Sequence, residues 1–312
     1  MKLLMFSYGE RESRFGAILG EYVVDLNFAC KSLLKQEGVV RSCEIADCII
    51  PPDLVCFLQC GERSKKILDE ILKMPFTPTD KVDGKRFVFK EKEISLDVPV
   101  RNPEKIICFS HNYHDFVKET GVPIPPSPRM FSKYNNALCG PNDPILYPKM
   151  TKCLGYEAEL AFVIGKTARN VEKEDALSFV AGYTIFNDVS ASDLTSMDKQ
   201  VLRGKTFDTF APVGPYLVSA DEVGDAGNLD LKLWVNDVLL QDSNTKELIY
   251  DIPTLISFLS QVFALKPGDI VATGTPGGLA KYRTPTTFMK DGDICTIKID
   301  KLGTLSNKIV EE

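Results

Sequence analysis

The apolar positions of this chain fall mostly into short runs, broken by glycine, proline and charge clusters, and such a pattern predicts strands and turns. Leu3–Tyr8, Phe15–Leu19 and Tyr22–Leu26 form a small predicted meander. Helical spacing of apolar residues appears over 27–37 and 64–73, and strands return at Phe87–Lys90 and Ile94–Val98. A boundary falls near Arg101–Glu104, dividing a small N-terminal accessory domain (1–100) from a larger C-terminal domain (101–312). Beyond it, Lys105–Phe109 reads as a buried strand leading into Ser110–Glu119. The stretch Gly121–Pro128 contains four prolines, so it is neither helix nor central strand, and loops of this length are often lids or binding loops.

Residues 154–165 form the most strand-like stretch. Alternation places Glu157, Glu159 and Ala161 on one face and Ala158, Leu160, Phe162 and Ile164 on the other. Two carboxylates roughly 7 Å apart on one face repel each other, so either water at an edge or a hard divalent cation must offset them. Further on, 171–180 and 252–263 have helical spacing, and Gly182–Asn187 is a strand with Asp188 just past its end. Asn236-Asp237 suits a hairpin turn between Leu231–Val235 and Val238–Leu240. Ile270–Ala272 runs into Thr273-Gly274-Thr275-Pro276-Gly277-Gly278, and 293–305 is strand and turn. Many short strands, few helices and no βαβ alternation argue a β-rich α+β fold.

Composition narrows the function. With 44% hydrophobic and 26% charged residues, the 312-residue chain matches a folded globular protein. The net charge of -6 and the absence of a basic block give no nucleic-acid footprint. No apolar run approaches the roughly 20 residues of a membrane span, and the N-terminus turns polar too early for a signal peptide, so a cytoplasmic location is expected. The nine cysteines have spacings such as Cys43/Cys48 and Cys56/Cys60 that do not match zinc sites, and His111 and His114 are the only imidazoles. Reduced, mostly buried thiols are expected.

Five blocks together carry a resemblance to the fumarylacetoacetate hydrolase family. They are Asn112-Tyr113, Phe131-Ser132-Lys133, Tyr156-Glu157-Ala158-Glu159-Leu160, Phe186-Asn187-Asp188-Val189-Ser190-Ala191, and the pair Gly204–Thr209 with Thr273–Gly278. The resemblance covers residues 104–312, and the N-terminal meander looks more loosely like the family's accessory domain. It implies a mixed β-roll holding a divalent cation, usually Mg2+ and sometimes Mn2+ or Ca2+, through Glu157, Glu159 and Asp188. It also implies a small 2-oxo acid or dicarboxylate as substrate and a homodimer. In such chemistry an enolate develops beside a carboxylate, and a cation taking both oxygens lowers its energy. Lys205 matches the family's site lysine, which stabilises negative charge or shuttles a proton. Gly274 and Thr275 would offer a backbone N–H and a hydroxyl to the substrate, with Lys133 and Tyr113 as further substrate-binding positions.

The departures from the family pattern shape the reading. Hydrolytic members use Asn-Tyr-x-x-His-x-x-Glu, the His and Glu acting as a water-activating dyad. Here Glu119 is retained, Phe116 replaces the His, and His114 stands two residues earlier. The Arg and Gln that follow the aspartate in the family are Ser192 and Thr195, so a bidentate carboxylate clamp is missing. Arg203 and Lys199 are candidates to restore that charge, and His111 reads as structural. These features favour tautomerisation or isomerisation of a 2-oxo acid, or decarboxylation of an oxaloacetate-like acid, with Lys205 and Glu119 as catalytic residues. The alternatives are acylpyruvate-type hydrolysis with His114 as base, and a non-catalytic protein that binds a cation and a small dicarboxylate.

Overall fold

In the computed structural model, which describes residues 1–9, 12–197 and 199–312, the apolar runs pair into a β-rich α+β architecture. The principal sheet is 12-stranded among the described residues. Its main path runs Val88–Lys90, Tyr22–Asp25, Arg14–Leu19, Lys2–Ser7, Ala211–Ser219, Val180–Asn187, Ala158–Ile164, Ile270–Ala272, Ile106–Ser110 and Arg129–Lys133. A five-stranded sheet built on Asp230–Val235, Ile294–Ile299 and Gly303–Glu311 packs against the middle of the first.

The Lys2–Ser7 strand pairs antiparallel with Ala211–Ser219, matching Leu3 to Leu217. The N-terminal hundred residues therefore extend the same sheet as the C-terminal ones, and Val100 is fully buried. Asp25 caps the Leu26–Gln36 helix by accepting from the Phe28 N–H at 3.0 Å, and the Glu62–Ile71 helix lies close to its predicted place. Two further helices, Ser42–Ile49 and Leu54–Gln59, are too short to show a periodic stripe. The helix expected over 171–180 is instead a 3-10 run, Lys173–Phe179. Ala176 alone is buried there, so no apolar stripe anchors a full α-helix. The Ile252–Val262 helix and the hairpin at Asn236 form as their patterns require, Asn236 taking the positive φ of 54° that such a turn demands.

All nine cysteines are free, but Cys43, Cys48, Cys56 and Cys60 are exposed, which corrects the expectation of mostly buried thiols. They belong to the short helical region that covers one end of the sheet, where the small core leaves outward positions wet.

The Ala158–Ile164 strand lies between Val180–Asn187 and Ile270–Ala272, with Glu159 opposite Phe186 and Ala161 opposite Ala272. Every one of its residues is buried, because neighbours flank it and the sheet is covered on both faces. The acidic face read from alternation is thus an interior face. Close packing here depends on Gly182, where an added Cβ would meet the Val218 carbonyl oxygen at 2.3 Å. Gly182→Ala is expected to lower stability by about 1–3 kcal/mol in urea denaturation. A loss within a few tenths of a kcal/mol would show that the two strands separate at little cost.

Candidate metal centre and active site

Two adjacent strands and the turn after a third bring the chemistry together. The Glu157 N–H donates to Asn187 Oδ1 at 3.0 Å, and the Asp188 N–H donates to the Glu157 carbonyl at 2.9 Å. This double clasp sets the two carboxylates side by side where their strands part. Glu159 points from the strand interior and accepts the Gly274 N–H on Oε2 at 2.8 Å. Gly274 has a φ of 100°, and a Cβ there would press on Asn112 Cβ at 3.1 Å and the Phe109 carbonyl at 3.2 Å. One oxygen from each of Glu157, Glu159 and Asp188 lies within 4.8 Å of the others.

Charge is the unusual feature. Lys205 Nζ lies 2.8 Å from Glu157 Oε1 and 2.6 Å from Asp188 Oδ2. Lys133 Nζ lies 2.7 Å from Asp188 Oδ1 and donates to the Val189 carbonyl at 2.9 Å and the Phe210 carbonyl at 2.5 Å. Burial draws the Lys133 pKa down, with the Asp188 charge opposing. Its two carbonyl acceptors and the ion pair with Asp188 favour the charged form. Burial would also lower Lys205, but Asp188 and Glu157 raise it above the ordinary lysine value, so it remains a fixed cation. Asp188 is likewise pushed up by burial, and Lys133 and Lys205 carry it below the usual range.

Two ammonium groups thus face three carboxylates, +2 − 3 = −1. The deficit falls on Glu159, which has no ion-pair partner among the described residues. Burial drives its pKa well above the ordinary carboxylate value, and the charges of Asp188 and Glu157 add to the effect. Its Oε1 is buried without a hydrogen-bond partner. A buried oxygen with nothing to bind, in an all-oxygen set, fits a hard divalent cation.

The cluster opens onto a cavity of about 290 Å3 whose wall includes Glu157, Ser190, Lys205 and Thr275. Ser192 and Thr195 also line it, short hydroxyls where a guanidinium and an amide would reach further. Several expected site residues stand elsewhere. His114 is exposed at the start of its helix and lines a different cleft with Asp115 and Lys118. Two residues before Phe116 on a short helix, it faces away from the cavity that Phe116 lines. Glu119 accepts the Gly278 N–H at 2.7 Å and ties down the Thr273–Gly278 turn. Lys133 supports Asp188 from behind, with 3% of its surface exposed. Tyr113 is buried in a small apolar cluster with Phe116 and Leu279, while Gly274 orients Glu159. Arg203 and Lys199 are exposed and absent from the cavity wall.

Other contributors were hidden in the sequence. Gln241 accepts the Ala158 N–H at 2.9 Å and donates to Thr275 Oγ1 at 2.9 Å, coupling the acidic strand to the turn. A lone glutamine in a hairpin strand signals nothing in advance. His111, expected to be structural, lines the cavity at a φ of 59°, with its Nδ1 buried and unpartnered. Burial, together with the charges of Arg129 and Lys281, lowers its pKa and keeps the ring neutral. Its position just past the end of a predicted strand is its only sequence-level trace, since loops at such ends are where site residues collect.

The chain is similar to several known proteins. The fumarylacetoacetate (FAA) hydrolase C-terminal family matches residues 105–310. The oxaloacetate tautomerase fahd2, mitochondrial, of Xenopus laevis is 42% identical over 265 residues, covering 83% of this chain and 80% of that protein. The maleylpyruvate hydrolase of Sphingobium sp. SYK-6, solved with manganese (II) ion and pyruvate, is 32% identical with a TM-score of 0.74, covering 100% of this chain and 99% of its own. The 5-carboxymethyl-2-hydroxymuconate delta-isomerase of Mycobacterium smegmatis is 28% identical with a TM-score of 0.73, covering 100% of this chain and 99% of its own.

The charge deficit has a thermodynamic consequence. A carboxyl whose folded pKa exceeds its unfolded value costs stability progressively as pH rises from the ordinary glutamate range to the raised value. In metal-free protein at pH 8, Glu159→Gln removes that cost and should raise stability in urea denaturation. Millimolar Mg2+ should raise the Tm of the parent chain and leave that of Glu159→Gln unchanged. A variant that is less stable, or equally responsive to Mg2+, would contradict the charge count.

Proposed function

The chain belongs to the fumarylacetoacetate hydrolase family, and from that premise we propose that it is a Mg2+-dependent tautomerase of a small 2-oxo acid such as oxaloacetate. The observation that carries the reading is the single unbalanced carboxylate, Glu159, in a site of three acids and two lysines. A divalent cation held by Glu157, Glu159 and Asp188 would change the local sum from −1 to +1, the complement of a monoanionic 2-oxo acid head. When bound, it supplies Lewis-acid stabilisation of negative charge developing beside the substrate carboxylate.

The chain's own groups meet the remaining needs of enol–keto exchange. Lys205, an ammonium beside Glu157 in the cavity wall, is suited to stabilising an enolate oxygen. Thr275 presents a hydroxyl in the cavity wall, oriented by Gln241. The neutral imidazole of His111 is able both to accept and to release the proton that moves between carbon and oxygen. Phe116 keeps the wall beside it apolar, and the two rings meet edge to face at 5.2 Å.

Hydrolysis requires a base placed to activate water. His114 lines another cleft and Glu119 is engaged with the Gly278 N–H, so neither supports the acylpyruvate-hydrolase alternative. The relative named as an oxaloacetate tautomerase supports the tautomerase reading.

Purified protein with Mg2+ should accelerate decay of the oxaloacetate enol band in a stopped-flow absorbance assay. Glu157→Ala should reduce the rate at least 100-fold, and His114→Ala should leave it within about twofold. No Mg2+-dependent acceleration with any of a panel of 2-oxo acids would remove the tautomerase assignment. A large loss on His114→Ala would restore the hydrolytic dyad reading.

A further inference from the structure

The cavity has a second charged wall. Tyr156 donates a hydrogen bond to the Gly278 carbonyl at 3.2 Å, and beyond that point the chain makes a 3-10 turn over Ala280–Tyr282. The turn is firmly set: Tyr282 N–H donates to the Leu279 carbonyl at 3.1 Å, Thr287 N–H to the Ala280 carbonyl at 3.2 Å, and Arg283 to the carbonyls of Gly278 and Leu240. It presents Lys281 to the cavity, and Nζ rests 4.7 Å from the centroid of the Tyr282 ring. That ring meets Phe116 at 6.2 Å, and Phe116 meets His111 at 5.2 Å, so Lys281, Tyr282, Phe116 and His111 form one continuous surface.

Lys281 differs from the other cavity lysine. Lys205 is held by two carboxylates, whereas Lys281 has no carboxylate within ion-pair distance among the described residues. A lysine resting on one aromatic ring, with its charge unmatched, is poised for an anion brought in from solution. The two residues that lack a guanidinium and an amide, Ser192 and Thr195, line the same cavity and supply only hydroxyls. Counting the three carboxylates, their two lysines, a bound divalent cation and Lys281, with His111 neutral, these groups sum to −3 + 2 + 2 + 1 = +2. That total complements a dianion.

We propose that Lys281 is the specificity-determining residue that receives the distal carboxylate of a short 2-oxo dicarboxylate. The assignment rests on the reading of the cavity as a 2-oxo acid site and adds the residue that recognises the distal carboxylate. His111 and Phe116 position the far end of the substrate beside the Lys281 ammonium, and the cation site takes its 2-oxo acid head. A monocarboxylate of the same head would occupy half of the site and leave Lys281 unmatched.

The test is equilibrium binding, independent of turnover. The Mg2+-loaded protein is titrated calorimetrically with malate and with lactate, which share a 2-hydroxy acid head and differ in the distal carboxylate. The parent chain should bind malate about tenfold or more tightly than lactate. Lys281→Gln should bring that ratio to about one, and Lys281→Glu should make malate the weaker ligand. Lys118→Gln, in the separate cleft beside His114, should keep the parent preference. Lys281 is exposed, and circular dichroism should show both substitutions folded. Retention of the malate preference in Lys281→Gln, or its absence from the parent chain while both ligands bind, would overturn the role of Lys281 and spare the 2-oxo acid reading. Binding of neither ligand would overturn both.

Discussion

An imbalance of one charge, buried between two strands, organises this protein. Three carboxylates face two ammonium groups in a region where an unpaired charge is costly. Asp188 receives both lysines and stays ionised; Glu157 shares Lys205 and a hydrogen bond from Ser190 at 3.2 Å. Glu159 retains one backbone donor and an empty oxygen. The scaffold enforces this arrangement: the clasp between Glu157 and Asn187–Asp188, the Gly274 turn and the central position of the Ala158–Ile164 strand fix the three side chains before any ligand arrives. A hard cation bound there would offset the carboxylate in excess, the relation between stability and function expected of a preorganised site.

The same framework explains what the departures from the family pattern do. Phenylalanine at 116 replaces a proton-accepting ring with an apolar one, and the imidazole that lines the cavity enters at 111 instead. Glu119, no longer beside a histidine at 116, closes the Gly278 turn. That turn feeds directly into the segment bearing Lys281. The carboxylate-and-lysine wall is left as the family resemblance requires. The acidic cluster and the segment bearing Lys281 therefore form different faces of one cavity.

Legibility followed the range of the interactions. The Glu-x-Glu alternation on a strand was visible locally, as was an aspartate at a strand end, but their convergence rested on family resemblance because it joins separate strands. The expected acidic face became an interior face, since alternation does not reveal what covers a sheet. Lys133 was legible as a site lysine, whereas its place behind Asp188 depends on how the edge strand Arg129–Lys133 meets the Val189 and Phe210 carbonyls. Gln241, His111 and Lys281 gave no periodic or motif signal; each acts through contacts with residues distant in the chain. The short helices at Ser42–Ile49 and Leu54–Gln59 escaped for a related reason, their existence depending on packing more than on propensity.

The central claim, that one buried carboxylate in excess creates a cation site, is tested most directly by crystallography with anomalous scattering from Mn2+-soaked crystals. The account predicts a single strong anomalous peak per chain, at coordination distance from one oxygen each of Glu157, Glu159 and Asp188. Absence of a peak there at millimolar Mn2+, with the Glu159 oxygen engaged by a lysine or another protein group, would contradict it.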